Sequence, residues 1–376
     1  MFVAAVILAL QAEQPVVEQP ELPLLRYLLR HQAEDGSWGQ RPAACRCPDA
    51  AAAPVPSVDP RPFLELLGDD DPANREAGER GLRAIGTLAI GALNEGRLHS
   101  DAEVRGRCAG LLRTIKVRCP GAGDVETTAL ALLDLLGAGY SHLSRDVHGG
   151  ACVGDRVKSG LRWLMARQTP EGLFDPKDAA ANAVAALALS EAYGLTGSLL
   201  LKDAAQRGAN AVTAAAGKDA RSLAWAALVV VSERDSLLLD DHHAKAEALT
   251  AALEAHPTSL LALAAREYLR KSFGKREHPI AAALTSAEPA ETDPETRMFA
   301  AAAIYALDGP SGDPWKAWRE GLKESVLPDL RMKGGLCERG SWEGEGFRGR
   351  LRATALNQLS LQTYYRYSNV FAGPRR

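Results

Sequence analysis

The stretch YLLRHQAEDGSW, residues 27–38, returns further along the chain as WLMARQTPEGLF, residues 163–174. Both copies read aromatic-Leu-x3-Gln-x3-Gly-x-aromatic, with Tyr27, Leu28, Gln32, Gly36 and Trp38 matched by Trp163, Leu164, Gln168, Gly172 and Phe174. A repeat of this kind governs the whole reading, because each copy is one supersecondary unit that needs a neighbour. The pattern predicts an amphipathic helix ending near the Gln. The Gly then allows a tight backbone beyond the helix end, and the last aromatic folds back onto the next helix. Gly340-Ser341-Trp342 is a third, partial copy without the upstream Gln.

Working outward, two kinds of helical pattern alternate. Segments 22–33, 154–168, 199–215, 242–255 and 314–326 are amphipathic, and 275–287 is a weaker sixth. Segments 125–136, 179–193, 221–232, 259–270, 295–307 and 351–367 are rich in Ala and Leu nearly all round. A helix that is apolar on every side has to be covered on every side. Six covered helices with six amphipathic partners predict an inner ring inside an outer ring. Asp124, Asp178, Asp219, Asp293 and Asp313 stand at or near helix starts, where a carboxylate caps free N–H groups. No strand-type alternation persists.

The Gln-Gly-aromatic repeat resembles the QW motif of the terpenoid cyclase and protein prenyltransferase superfamily. Gly334-Gly335-Leu336, Thr354-Ala355-Leu356 and Tyr364-Tyr365-Arg366-Tyr367 resemble the last repeat of bacterial prenyltransferase/squalene-oxidase-repeat proteins, and Thr128-Ala129-Leu130 through Tyr140 resembles an internal one. The resemblance covers about residues 22–40 and 120–370 and implies an all-α fold, an (α/α)6 toroid. Residues 61–116 break the pattern. Asp69 to Pro72 with Arg75-Glu76-Ala77, and then Asp101, Glu103, Val104, Arg105 and Arg107, resemble HEAT repeats. The expected organisation is a signal-like segment and linker at 1–20, the first outer helix and its turn at 21–40, a small HEAT-like insertion at 60–117, and the rest of the toroid at 120–371. By analogy, HEAT-like units bind proteins.

The 376 residues carry a net charge of -3, which offers no basic face for a nucleic-acid partner. Phe2 to Leu10 is an apolar run too short to span a bilayer but of signal-peptide size, so export to the periplasm or outside is expected, with a cytoplasmic location as the alternative. No transmembrane segment is expected. Cys45 and Cys47 form a CxC pair with no second pair at zinc spacing, so no metal and no cofactor are expected.

Asp124-Val125-Glu126-Thr127-Thr128-Ala129 resembles a degraded DxDDTA motif of squalene–hopene-type cyclases, in which the middle acid protonates an alkene. Glu126 stands in the middle here, and Thr127 replaces the final Asp. The structural alternative has Asp124 capping the helix and Glu126 favoured by the helix dipole. Carbocation chemistry also needs aromatic walls, yet aromatic residues are only 6% of the chain. The Asp-x-Cys and Tyr-His zinc ligands of prenyltransferases and the thioester GCGEQ are absent. His142 and His148, beside a Gly-rich loop, are candidates for one ring opening. Glu338 and Glu343 around Trp342 are candidates for a glycan-cleaving pair of carboxylates. The expectation is a non-catalytic binding or scaffold toroid. The alternative is an enzyme using the central cavity, with an isoprenoid-like apolar substrate or a glycan.

Overall fold

The computed structural model describes residues 21–39, 59–85, 89–114, 123–148, 150–215, 217–238, 241–274, 280–333 and 338–369. The chain is all-α. The described residues include sixteen α-helices and one hairpin of two-residue strands, Val147–His148 (β1) and Ala151–Cys152 (β2), which join antiparallel. The apolar run 2–10, Cys45, Cys47, Cys119, Gly334 to Cys337 and the side chains of Tyr364 to Tyr367 lie outside the described residues. Cys108 and Cys152 are free thiols.

In chain order the helices are α1 (Glu21–Arg30), α2 (Arg61–Glu65), α3 (Pro72–Ile85), α4 (Ile90–Gly96), α5 (Ala102–Thr114), α6 (Val125–Gly137), α7 (Val153–Arg167) and α8 (Ala179–Thr196). There follow α9 (Leu199–Ala214), α10 (Ala220–Asp235), α11 (His242–Glu254), α12 (Leu260–Ser272), α13 (Ala282–Thr285), α14 (Pro294–Asp308), α15 (Asp313–Ser325) and α16 (Gly346–Asn369). Caps decide where many of them start. Asp124, Asp178, Asp219, Asp241, Ser259 and Asp293 each accept the backbone N–H of the third residue onward. Of the amphipathic helix expected over 275–287, residues 275–279 lie outside the described residues, and within 280–287 the helix is the single turn α13. Pro279 and Pro289 bound that stretch, and both disfavour a longer helix.

The six Ala- and Leu-rich helices contact one another in a closed order: α6 packs on α8, α8 on α10, α10 on α12, α12 on α14, α14 on α16, and α16 back on α6. They run parallel. The first turns of α6, α10 and α14 meet the second turn of α16, and at the far ends Gln362 of α16 donates to Asp134 of α6 (3.0 Å) while Ser236, just after α10, donates to Ser190 O of α8 (3.0 Å). The amphipathic helices pack against this set: α7 on α6, α9 on α8 and α10, α11 on α10 and α12, α15 on α14, and α1 on α16.

The repeated turns explain how neighbouring amphipathic helices are joined. Gln32 donates its side-chain amide to Gly36 O, closing its own turn, and to Arg156 O of α7, both at 2.8 Å. Gln168 does the same to Gly172 O and to Ala204 O of α9. Gly36, Gly172 and Gly340 all have positive φ. A Cβ on them would collide with the carbonyl oxygens of Ser159, Arg207 and Pro23 respectively, each on the following amphipathic helix. Only glycine combines that φ with that approach. The third contact joins the last turn to the first helix, and Arg30 of α1 donates to Arg339 O beside it (2.8 Å). The aromatics sit as expected: Trp38 donates its indole N–H to Leu28 O and Trp342 to Val326 O, and both rings are buried.

Two hydrophobic clusters form. The large one spans the helices just described. The small one joins Leu67, Leu82, Leu93, Val104, Cys108 and Leu111 of the α2–α5 region. Between them, Gly39 and Gly123 pair in an antiparallel bridge, so the chain leaves and returns at one point. In the small unit Arg75 folds back onto Asp69 O and Asp70 O, and Arg105 onto His99 O and Ser100 O, the same device thirty residues apart.

Candidate functional site

At the starting end of the apolar helices, four side chains meet that are far apart in sequence. Arg221 of α10 pairs with Glu126 of α6 (2.5 Å) and Glu295 of α14 (2.9 Å). Arg352 of α16 pairs with the same two carboxylates, each at 2.8 Å. The indole N–H of Trp225 donates to Glu295 (2.7 Å). Helices α6, α10 and α14 are not neighbours in the contact order, so these bonds cross it. Glu126, Arg221 and Glu295 sit in the first turns of their helices, and Arg352 in the second turn of α16. For the two glutamates that position also suits the helix dipole. Both carboxylate side chains are only 7% exposed. Burial works to lower the pKa of both arginines, but Glu295 and Glu126 outweigh it and hold them above the usual range. Arg348, half exposed, reaches Asp124 (3.2 Å) and Glu126 (3.5 Å) from the rim.

Asp124 is a cap: it accepts the N–H of Thr127 at 2.9 Å. Glu126 accepts from guanidinium groups on two other helices, with the Arg348 guanidinium beside it. Alkene protonation needs a carboxyl O–H aimed into a dry space, whereas this carboxylate is aimed into ion pairs.

Below the charged layer the same helix faces continue at intervals of three or four residues. The next layer holds Leu130, Trp225, Phe299 and Leu356, joined by Val184 and Ala265 when α8 and α12 are aligned on their caps. Trp225 and Phe299 meet edge to face at 5.2 Å, again across the contact order. The layer after that holds Leu133, Leu187, Leu228, Tyr268, Ala302 and Leu359. All twelve side chains are buried. In the upper layer the Trp225–Phe299 contact spans the space between α10 and α14.

The remaining candidates lie apart from this cluster or serve other roles. His142 and His148 follow α6, at the opposite end of the apolar helices. His148 meets the Tyr140 hydroxyl (3.1 Å), and the rings stack edge to face. Burial, with Lys158 nearby, holds the His142 imidazole below its usual pKa. Glu338 and Glu343 are each held by Arg331 and Arg350, with Glu338–Arg331 at 3.0 Å and Glu343–Arg350 at 3.2 Å. Trp342 is buried beneath them and offers no platform to a sugar. Among the described residues no three His, Cys, Asp or Glu side chains converge as a metal site.

Arg221, Glu295 and Arg352 were not expected from sequence. A signal exists for two of them: Asp219-x-Arg221 and Asp293-x-Glu295, like Asp124-x-Glu126, put a charge two residues after a capping Asp, whereas Arg352 lies seven residues into α16 with no such mark. Comparison with known protein families, with curated proteins and with solved structures returned no match.

Proposed function

We propose that the chain is an (α/α)6 toroid of the terpenoid cyclase and prenyltransferase type whose centre is filled, and that it acts as a binding or scaffold protein rather than a catalyst. The observation that carries this reading is the pair of buried apolar layers beneath the Glu126–Arg221–Glu295–Arg352 lid. A cyclase or transferase of this architecture needs room for its substrate at the centre. In this reading the space is taken by Leu130, Trp225, Phe299 and Leu356, which are buried, with Trp225 and Phe299 in contact between helices that are not neighbours. The HEAT-like helices α2–α5, with their own small core and the partly exposed ion pairs Arg107–Glu103 and Arg75–Glu103, then offer a surface for another protein. Export remains part of the proposal, on the apolar run Phe2 to Leu10.

Native mass spectrometry of the purified chain, alone and after incubation with farnesol or with a soluble oligosaccharide, tests the filled centre. The expected result is the polypeptide mass in all three cases. A stoichiometric adduct with either compound, abolished by Leu130→Trp, would overturn the reading in favour of a central ligand site.

A further inference from the structure

In the closed order of apolar helices, most neighbours are also tied by the chain: α6 to α8 through α7, and so on to α14 and α16 through α15. The contact of α16 on α6 is different. It joins the last and first members of the set, which no short connection ties together. Polar groups line this junction. Gln362 of α16 donates to Asp134 of α6 (3.0 Å), and Arg352 and Arg348 reach Glu126 across it (2.8 and 3.5 Å). Gln358 lies one turn before Gln362, and Thr127 two turns before Asp134, so each shares its helix face with that contact. Thr127, Asp134, Gln358 and Gln362 are all buried. Thr127 Oγ1, Gln358 Oε1 and Gln362 Oε1 have no hydrogen-bond partner among the described residues.

A buried polar atom without a partner has lost its bonds to water and gained none in exchange. Opening the junction returns water to all three atoms, which offsets part of the cost of uncovering apolar surface. The start of the chain lies over the same junction. Helix α1 packs on α16, with the His31 ring 5.3 Å from that of Phe347. Its turn runs on to α6, where Trp38 N–H donates to the Thr128 hydroxyl (2.9 Å) and that hydroxyl donates to Trp38 O (3.0 Å). Residues 21–38 therefore touch both sides of the junction. Arg30 adds its bond to Arg339 O (2.8 Å), and Pro23 O lies against Gly340.

We propose that the closed set of helices opens at the α16–α6 junction, with α1 and its turn as the strap that holds it shut. When the strap undocks, α6 and α16 separate, and Leu130 and Leu356 of the apolar layer meet solvent. The centre that is filled in the closed form is reached by this route. The device rests on the closed contact order and not on the identity of any partner.

The test is alkylation of the full chain by iodoacetamide under native conditions, read by peptide mass mapping so that the six natural cysteines are counted apart. Ala131→Cys of α6 and Ala355→Cys of α16 place a thiol three residues before Asp134 and Gln358, on the junction faces; Ala183→Cys of α8 and Ala264→Cys of α12 are controls at positions as deeply buried. Both junction thiols should react about tenfold or more faster than both controls, at the helicity of the parent. Adding Gln358→Leu, which removes an unpartnered acceptor, should slow the junction thiols about tenfold. Adding Gly340→Ala, which pushes on Pro23 O of the strap, should speed them severalfold. In the unsubstituted chain, α6 and α16 become the ends of the opened set and should exchange backbone hydrogens ahead of α10 and α12. The proposal fails if the four thiols react at one rate, if they react only in urea that melts the helices, if Gln358→Leu or Gly340→Ala leaves the junction thiols unchanged, or if α6, α10, α12 and α16 exchange together.

Discussion

Arg221 holds two buried carboxylates that belong to different helices, so its removal leaves both to share Arg352, one positive charge short, in a place that water barely reaches. Arg221→Ala should cost about 3–5 kcal/mol, the range for breaking a buried pair from one side. Replacing the whole quartet by apolar residues of similar volume should cost much less; urea unfolding of both variants separates the two. The same logic of unpaired groups applies to Asn182, whose side-chain oxygen accepts the N–H groups of Phe174 and Asp175. Asn182→Ala should lose about 1–3 kcal/mol, and Asn182→Asp should not recover it, because the Nδ2 amide also donates to Asp175 O and Asp178 O, which a carboxylate would repel. His142 supplies a pH dependence. Its imidazole has a lowered pKa in the folded chain, so between that value and the ordinary value near 6.5 the unfolded chain binds more protons. Its contribution to stability is present above about pH 6.5 and is lost as the pH falls through the folded pKa. The urea midpoint should drop from pH 7.5 to 5.5, and His142→Gln should flatten that drop.

At the scale of elements, the three glycine turns are equivalent joints. Gly36→Ala, Gly172→Ala and Gly340→Ala each force a Cβ into a neighbouring backbone carbonyl at positive φ. Each should lower the melting temperature by an amount corresponding to about 1–3 kcal/mol, with Gly340 reporting on the joint between the last turn and the first helix. Thermal melting ranks them. Much of this level was legible beforehand. Gln32, Gly36 and Trp38 recur as Gln168, Gly172 and Phe174 because each residue type meets a local demand, and local demands are written in local sequence. What was not legible is long-range. Trp38 donates to Thr128, ninety residues away, and Phe174 to Asn182, eight away, yet the two bonds are the same joint. The α2–α5 segment separates the first pair, and spacing alone hides the match. The Glu126 partners are hidden for the same reason: Arg221 and Arg352 each look like ordinary charges near a helix start until the helices are placed side by side.

For the whole molecule, the two clusters differ greatly in size, and small cores are the less stable ones. Cys108 is buried in the small cluster, and its thiol pKa is raised by desolvation. Alkylation of Cys108 should therefore appear at a lower urea concentration than the loss of helical circular dichroism. Coincident transitions would mean that the two clusters unfold as one. The all-α class follows from composition and period. The nested arrangement rests on a simpler requirement: Ala- and Leu-rich helices with no polar side have to cover one another, and α6 to α16 do so in a closed order.

The bridge between Gly39 and Gly123 has a consequence for how such a chain can change. Everything between those two glycines leaves and returns through a doorway one strand pair wide, and Leu112 of α5, lying against Gly150, adds a second touch on the larger body. A different module of any length could be spliced in there, provided its two ends emerge side by side. Over generations the circle of helices could stay constant while the appended piece, and whatever it touches, is exchanged.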